Sequence, residues 1–168
     1  GLLLGARGYA TPFRWLHVMS TFRTGNLIPE TGGGGTEDLK LTEVDSRMSL
    51  WITPQFGVGG GFVIRGEKQD VGGVKTLTAA SVDAIARSSF VGGAVWTYTA
   101  VSLYPSSNFT GRTDKPETSS MSGEAGLEVK ALKYLTASFT YYTERFTWAA
   151  VGTQPQRRDQ LSMLRIRL

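Results

Sequence analysis

Aliphatic and charged residues alternate along this chain with a period of two, which restricts it to strands having one apolar and one ionic face. Between positions 40 and 52, Val44, Met48, Leu50 and Ile52 share one parity, while Glu43, Asp45, Arg47 and Ser49 share the other. A helix would spread both sets around its circumference. The pattern recurs with Leu16, Val18 and Phe22 against His17, Thr21 and Arg23, and with Phe62 and Ile64 against Arg65 and Glu67. Farther on, Leu127, Val129 and Ala131 oppose Glu128 and Lys130, and Leu164, Ile166 and Leu168 oppose Arg165 and Arg167.

The remaining bulk properties exclude several classes. Twenty-one glycines in 168 residues argue against long helices. No stretch approaches the roughly 20 apolar residues of a membrane-spanning helix; the longest apolar run near the start is Leu2-Leu3-Leu4. With no cysteine, disulfides and thiolate metal sites are impossible. The net charge of +4 is spread over scattered basic residues, with only Arg157 and Arg158 adjacent, so nothing points to nucleic acid. The length suits one domain spanning 1–168. No charged region followed by a long apolar one opens the chain, so any export signal is expected to have been removed or to precede Gly1.

Turn residues divide the pattern into strands at 2–10, 14–24, 38–52, 57–69, 75–87, 93–104, 121–132, 135–148 and 159–168. Their connections alternate in length. Thr11–Phe13, Thr53–Phe56, Ser88–Gly92 and Lys133-Tyr134 are short, while Gly25–Glu37, Pro105–Ser120 and Ala149–Arg158 are long and polar. Only Asp70–Val74 is brief where a long one belongs. The glycine run 32–35 and the polar stretch 106–120 are expected to be mobile. Such sorting predicts an all-β fold, an antiparallel up-and-down transmembrane β-barrel of 8–10 strands. Nine segments conflict with the even number usual for bacterial barrels. An additional strand before Gly1 is the preferred resolution, and an eight-stranded wall without residues 1–10 is the alternative.

Alternation alone leaves the orientation of the apolar face open. In the membrane reading Glu43, Asp45, Arg47, Arg65, Glu67, Glu128, Lys130, Arg165 and Arg167 point into a narrow lumen and pair there, forming a lumenal charge network. In a soluble barrel they face water, and Val44, Met48, Leu50 and Ile52 enclose a small hydrophobic ligand, as in a lipocalin-like carrier. Aromatic residues near strand ends favour the membrane, with Trp51, Trp96, Tyr104, Tyr134 and Trp148 expected as interfacial anchors.

Residues Gly126 to Phe146, GLEVKALKYLTASFTYYTERF, resemble the late hairpin of bacterial outer-membrane β-barrel proteins, two alternating strands around a tight turn. Asp159–Leu168 resembles the closing strand, although Leu168 departs from the terminal aromatic usual in that superfamily. The resemblance implies location in a bacterial outer membrane.

Groups for catalysis are scarce. His17 is the single histidine, and Ser20 lies on the opposite parity, so the two cannot form a dyad on one face. Glu43 and Asp45 share a face and have the spacing of paired acid–base carboxylates, but a structural salt-bridge network explains them better. Gly57, Gly59, Gly60 and Gly61 lack the following Lys-Ser/Thr of a phosphate loop and instead let a sheet bend. The expectation is a non-enzymatic barrel without cofactor or metal, serving as a structural or anchoring component or a narrow pore. Its partners would be membrane lipid, including lipopolysaccharide phosphates near Arg112, Lys115, Arg157 and Arg158, and proteins of an envelope assembly.

Overall fold

In the computed structural model, residues 1–28, 39–68, 74–110, 120–132, 135–148 and 157–167 are described. They form one nine-stranded antiparallel sheet whose spatial order follows the sequence. The strands are β1 (Leu2–Phe13), β2 (Leu16–Leu27), β3 (Leu39–Trp51), β4 (Phe56–Lys68), β5 (Lys75–Phe90), β6 (Val95–Thr110), β7 (Ser120–Leu132), β8 (Leu135–Trp148) and β9 (Arg157–Arg167). All nine expected strands are present. Residues 2–13 pair with β2 from Leu2↔Asn26 to Phe13↔Leu16, which makes them part of the wall and removes the eight-stranded alternative.

The sheet is curled into an open half-barrel rather than the closed barrel expected. Its ladder runs from β1 to β9, and among the described residues β9 pairs only with β8. Parity supplies the physical reason. In an antiparallel meander, the first and ninth strands run in the same direction, so these two edges cannot join by the antiparallel pairing used everywhere else.

The largest boundary difference is in β6, which continues through Pro105 to Thr110 instead of stopping at 104. Proline lacks the N–H that a ladder needs, but Pro105 falls within the β5/β6 register shift, where Ala80 pairs with Ser106 and Val82 with Leu103. The strand therefore bulges and continues. At the opposite end of β5, Val91, Gly92 and Gly93 have φ of 52°, 62° and 86° and form a tight turn.

Parity assigns the faces as the aliphatic pattern requires. Along β3, Glu43 and Asp45 are buried, whereas Met48 and Leu50 are exposed. Phe22, Phe62, Ile64, Val101, Leu127, Phe139, Leu164 and Ile166 are also exposed on the convex side. The buried apolar cluster is small, comprising Val63, Leu77, Ala79, Tyr104 and Phe146 within the curl. The fold is thus polar within and apolar without. The segments joining strands sort to opposite ends: 14–15, 52–55, 91–94 and 133–134 at one, and 28–38, 69–74, 111–119 and 149–156 at the other. The expected mobile run 32–35 lies outside the described residues, as does 111–119 of the second such stretch.

Candidate functional site: a charge-filled interior

Four strands contribute one alternating chain of ions. Arg23 on β2 donates to Glu43 on β3. The other oxygen of Glu43 accepts from Arg65 on β4, at 2.6 Å from Nη2 and 2.7 Å from Nε. Arg65 then reaches across the concavity to Glu144 on β8, Nη1–Oε1 at 2.5 Å and Nη2–Oε2 at 2.8 Å. Tyr142 donates its hydroxyl to the same carboxylate at 2.6 Å. Glu43 is 1 % exposed and Arg65 4 %. Burial this complete is tolerable for ions only when each charge is paired and its hydrogen bonds are satisfied.

A second group lies beside it. Arg47 grips Asp45, two residues earlier on β3, through Nε–Oδ1 at 2.8 Å and Nη2–Oδ2 at 3.0 Å. Its remaining donors reach Asp83 on β5 at 3.3 Å, and Ser102 and Tyr104 on β6. Nearer the open edge, Arg165 on β9 pairs with Glu124 on β7 at 3.0 Å and lies over the Tyr142 ring at 3.8 Å from its centroid. Inward glycines on β4 make room for this crowding. A Cβ at Gly61 would overlap the backbone oxygen of Ser46 and stand 2.9 Å from Cγ of Arg47, and the Trp51 indole lies against Gly57.

Of the expected ionic residues, Glu43, Asp45, Arg47, Arg65 and Arg165 lie on the concave side and make ion pairs, divided among the three groups above. Glu67 is half-buried on the same concave side. Glu128 and Lys130 are a correction: among the described residues they make no ion pair, and Lys130 is exposed. They lie toward the short-turn end of β7, away from the cross-curl contacts. The side chain of Arg167 lies outside the described residues, as do those of Arg112, Lys115, Arg157 and Arg158.

The aromatic anchors need a larger correction. Trp51, Trp96 and Tyr104 point into the concave side. Tyr104 is 2 % exposed and hydrogen-bonds Ser122 at 3.0 Å. The Arg87 guanidinium lies 3.9 Å from the Trp51 ring and 5.4 Å from the Trp96 ring, a stacked cation inside the short-turn end. The reason is parity, since each of these aromatics is flanked in sequence by outward residues. Tyr134 and the Trp148 side chain lie outside the described residues. Exposed aromatics at the short-turn end are instead Phe13 and Trp15, stacked at 5.2 Å, together with Phe56 and Phe90.

Reasoning from alternation missed Asp83, Glu124 and Glu144. Asp83 sits among alanines on both parities, so the contrast between faces is weak there. Glu144 adjoins Arg145, and one charge falls on each face. Among the described residues no cluster of histidine and carboxylates is arranged to hold a metal. The concave lining is ionic, the reverse of what a carrier of hydrophobic ligands presents. Comparison with known protein families, curated proteins and solved structures finds no match to this chain.

Proposed function

We propose that this chain forms the wall of a β-barrel in a bacterial outer membrane, acting as a structural or anchoring component whose interior is filled by paired ions. One observation carries the reading: the polarity of the sheet is inverted relative to a water-soluble fold. Phe62 is 50 % exposed and Ile166 76 %, whereas Glu43 and Arg65 are buried. Water would favour the opposite arrangement by roughly 25 cal/mol for each Å² of apolar surface withdrawn from it. Hydrocarbon removes that penalty and favours the interior for charges along the middle of the strands.

Two further features support lipid as the outer solvent. Three pairs of convex hydroxyls bond to each other, Ser20 with Ser46 at 2.9 Å, Thr24 with Thr42 at 3.1 Å and Thr143 with Ser162 at 3.2 Å, which satisfies part of the polarity of that face without water. Every strand has 11 to 16 residues, enough for the roughly 9–11 that cross a bilayer when tilted. The outer-membrane assignment rests on the resemblance of the late hairpin and closing strand to that superfamily. The engagement of the carboxylates supports a non-enzymatic role, since Glu43, Asp45 and Glu144 are all paired with arginines. The crowded interior favours a plugged or narrow lumen over a wide pore. The long connections, gathered at one end, are available to partners of an envelope assembly.

The test is partitioning. The expressed chain is expected to sediment with membranes, to resist alkaline carbonate extraction and to require detergent for solubilisation. A protein that remains monomeric and soluble without detergent would overturn the proposal.

A further inference from the structure

Among the strand residues whose side chains are described, every charged group on the convex face is basic, and all lie toward the long-connection end. They are Lys40 near the start of β3, Lys68 at the end of β4 and Arg145 near the end of β8. The acidic residues of these strands take the concave parity. Lys40 and Lys68 are directly opposed in the β3/β4 register, with Asn26 opposite Lys40 on β2. Among the described residues neither lysine has an ion-pair partner. Like charges at directly opposed positions destabilise a sheet unless an anion lies between them. Exposed Leu2 and Val74 flank this row, and the exposed apolar surface of Phe22, Phe62 and Ile64 begins just below. The basic row therefore stands at the long-connection end of the exposed apolar band.

We propose that Lys40, Lys68 and Arg145 form a basic rim that binds lipid-borne phosphate, as carried by a phosphorylated glycolipid, in the leaflet at the long-connection end. This rests on the outer-membrane reading. Two ammonium groups side by side match one phosphate with several acceptor oxygens, and Asn26 adds an amide donor beside them. Arg145, on another sector of the wall, offers a bidentate fork to a second phosphate. The rim also sets orientation, because among the described strand residues the convex cations all lie toward this one end.

The experiment uses the full chain refolded into phosphatidylcholine vesicles and, in parallel, held in neutral detergent and titrated with fluorescent diphosphoryl lipid A. At about fivefold per basic residue near a charged surface, K40Q/K68Q is expected to bind lipid A about thirtyfold more weakly than wild type, and R145Q about fivefold. K40R/K68R is expected to retain binding, and dephosphorylated lipid A to bind the wild type at least as weakly as intact lipid A binds K40Q/K68Q. Strand circular dichroism on each sample verifies folding. Wild-type insertion into vesicles combined with K40Q/K68Q affinity within about twofold of wild type overturns the rim alone. Full displacement by millimolar inorganic phosphate also overturns it, by showing a site for free phosphate. A wild type that fails to enter vesicles at all removes the outer-membrane reading, and the rim with it.

Discussion

Arg65 on β4 and Glu144 on β8 meet fork to fork, Nη1–Oε1 at 2.5 Å and Nη2–Oε2 at 2.8 Å, although three strands intervene between them in the sheet. That contact is possible only because the sheet curls until its fourth and eighth strands face each other. The pair thus reports the curvature of the whole wall, and it completes the ion chain that begins at Arg23.

Removing one member of this pair strands charge in the interior. Arg65→Met leaves Glu144 without its arginine and Glu43 with Arg23 alone. The expected loss is about 3–5 kcal/mol, measured by denaturant unfolding followed through tryptophan fluorescence in lipid or detergent. The double change R65M/E144L is expected to cost less than the two single changes added together. A single-mutant loss below about 1 kcal/mol would show that the pair is not buried as described.

The convex face gives a sharper test of its solvent. Phe62 lies mid-strand on β4 and is half exposed. In a bilayer, Phe62→Arg is expected to cost about 2–4 kcal/mol of folding free energy. On a surface facing water the same change would fall within about 0.5 kcal/mol of zero. Unfolding titrations in phosphatidylcholine vesicles separate the two values.

Two strand glycines should respond in opposite ways. At Gly61 an added methyl would overlap the Ser46 backbone oxygen and approach Arg47 Cγ to 2.9 Å, while at Gly8 nothing lies within 4 Å. Gly61→Ala is expected to destabilise by about 1–3 kcal/mol by pushing β4 away from the Ser46 carbonyl of β3 and shifting the Arg47 stem. Gly8→Ala is expected to stabilise by about 0.5–1 kcal/mol, because alanine loses less backbone freedom on folding. Equal effects at both positions would contradict the crowding assigned to the interior.

Val91 holds φ at 52° in the turn between β5 and β6 and is exposed. A β-branched residue is strained there, by about 1–2 kcal/mol, whereas asparagine visits this region readily. Val91→Asn is expected to raise stability by about 1 kcal/mol with no loss of packing. A fall in the unfolding midpoint would count against the turn geometry.

The sequence was most legible where the two parities differ most in chemistry. In β3 the contrast between Met48 and Leu50 on one side and Glu43 and Asp45 on the other identified the strand, its faces and its ionic residues together. In β5 the run Ala79-Ala80-Ser81-Val82-Asp83-Ala84 has small residues on both parities, and Asp83 escaped notice. Trp51 shows a different limit. Its position near a strand end suggested an interfacial anchor, but its parity sends it inward against Gly57 and Arg87. Composition near a turn says that an aromatic is available; only the face on which it emerges says what it touches.

Taken alone, the sequence located nine strand segments, the alternation of polarity along them and the sorting of short and long connections. These depend on a side-chain period of two and on local turn chemistry, both of which are properties of neighbouring residues. Tertiary structure decided which ions meet and whether the edges join. Arg65 and Glu144 are 79 positions apart, and their contact depends on curvature accumulated over successive registers, the bulge at Pro105 and the inward glycines of β4. No local pattern encodes that sum. The odd strand count leaves β1 and β9 running in one direction, and among the described residues these two edges are not joined.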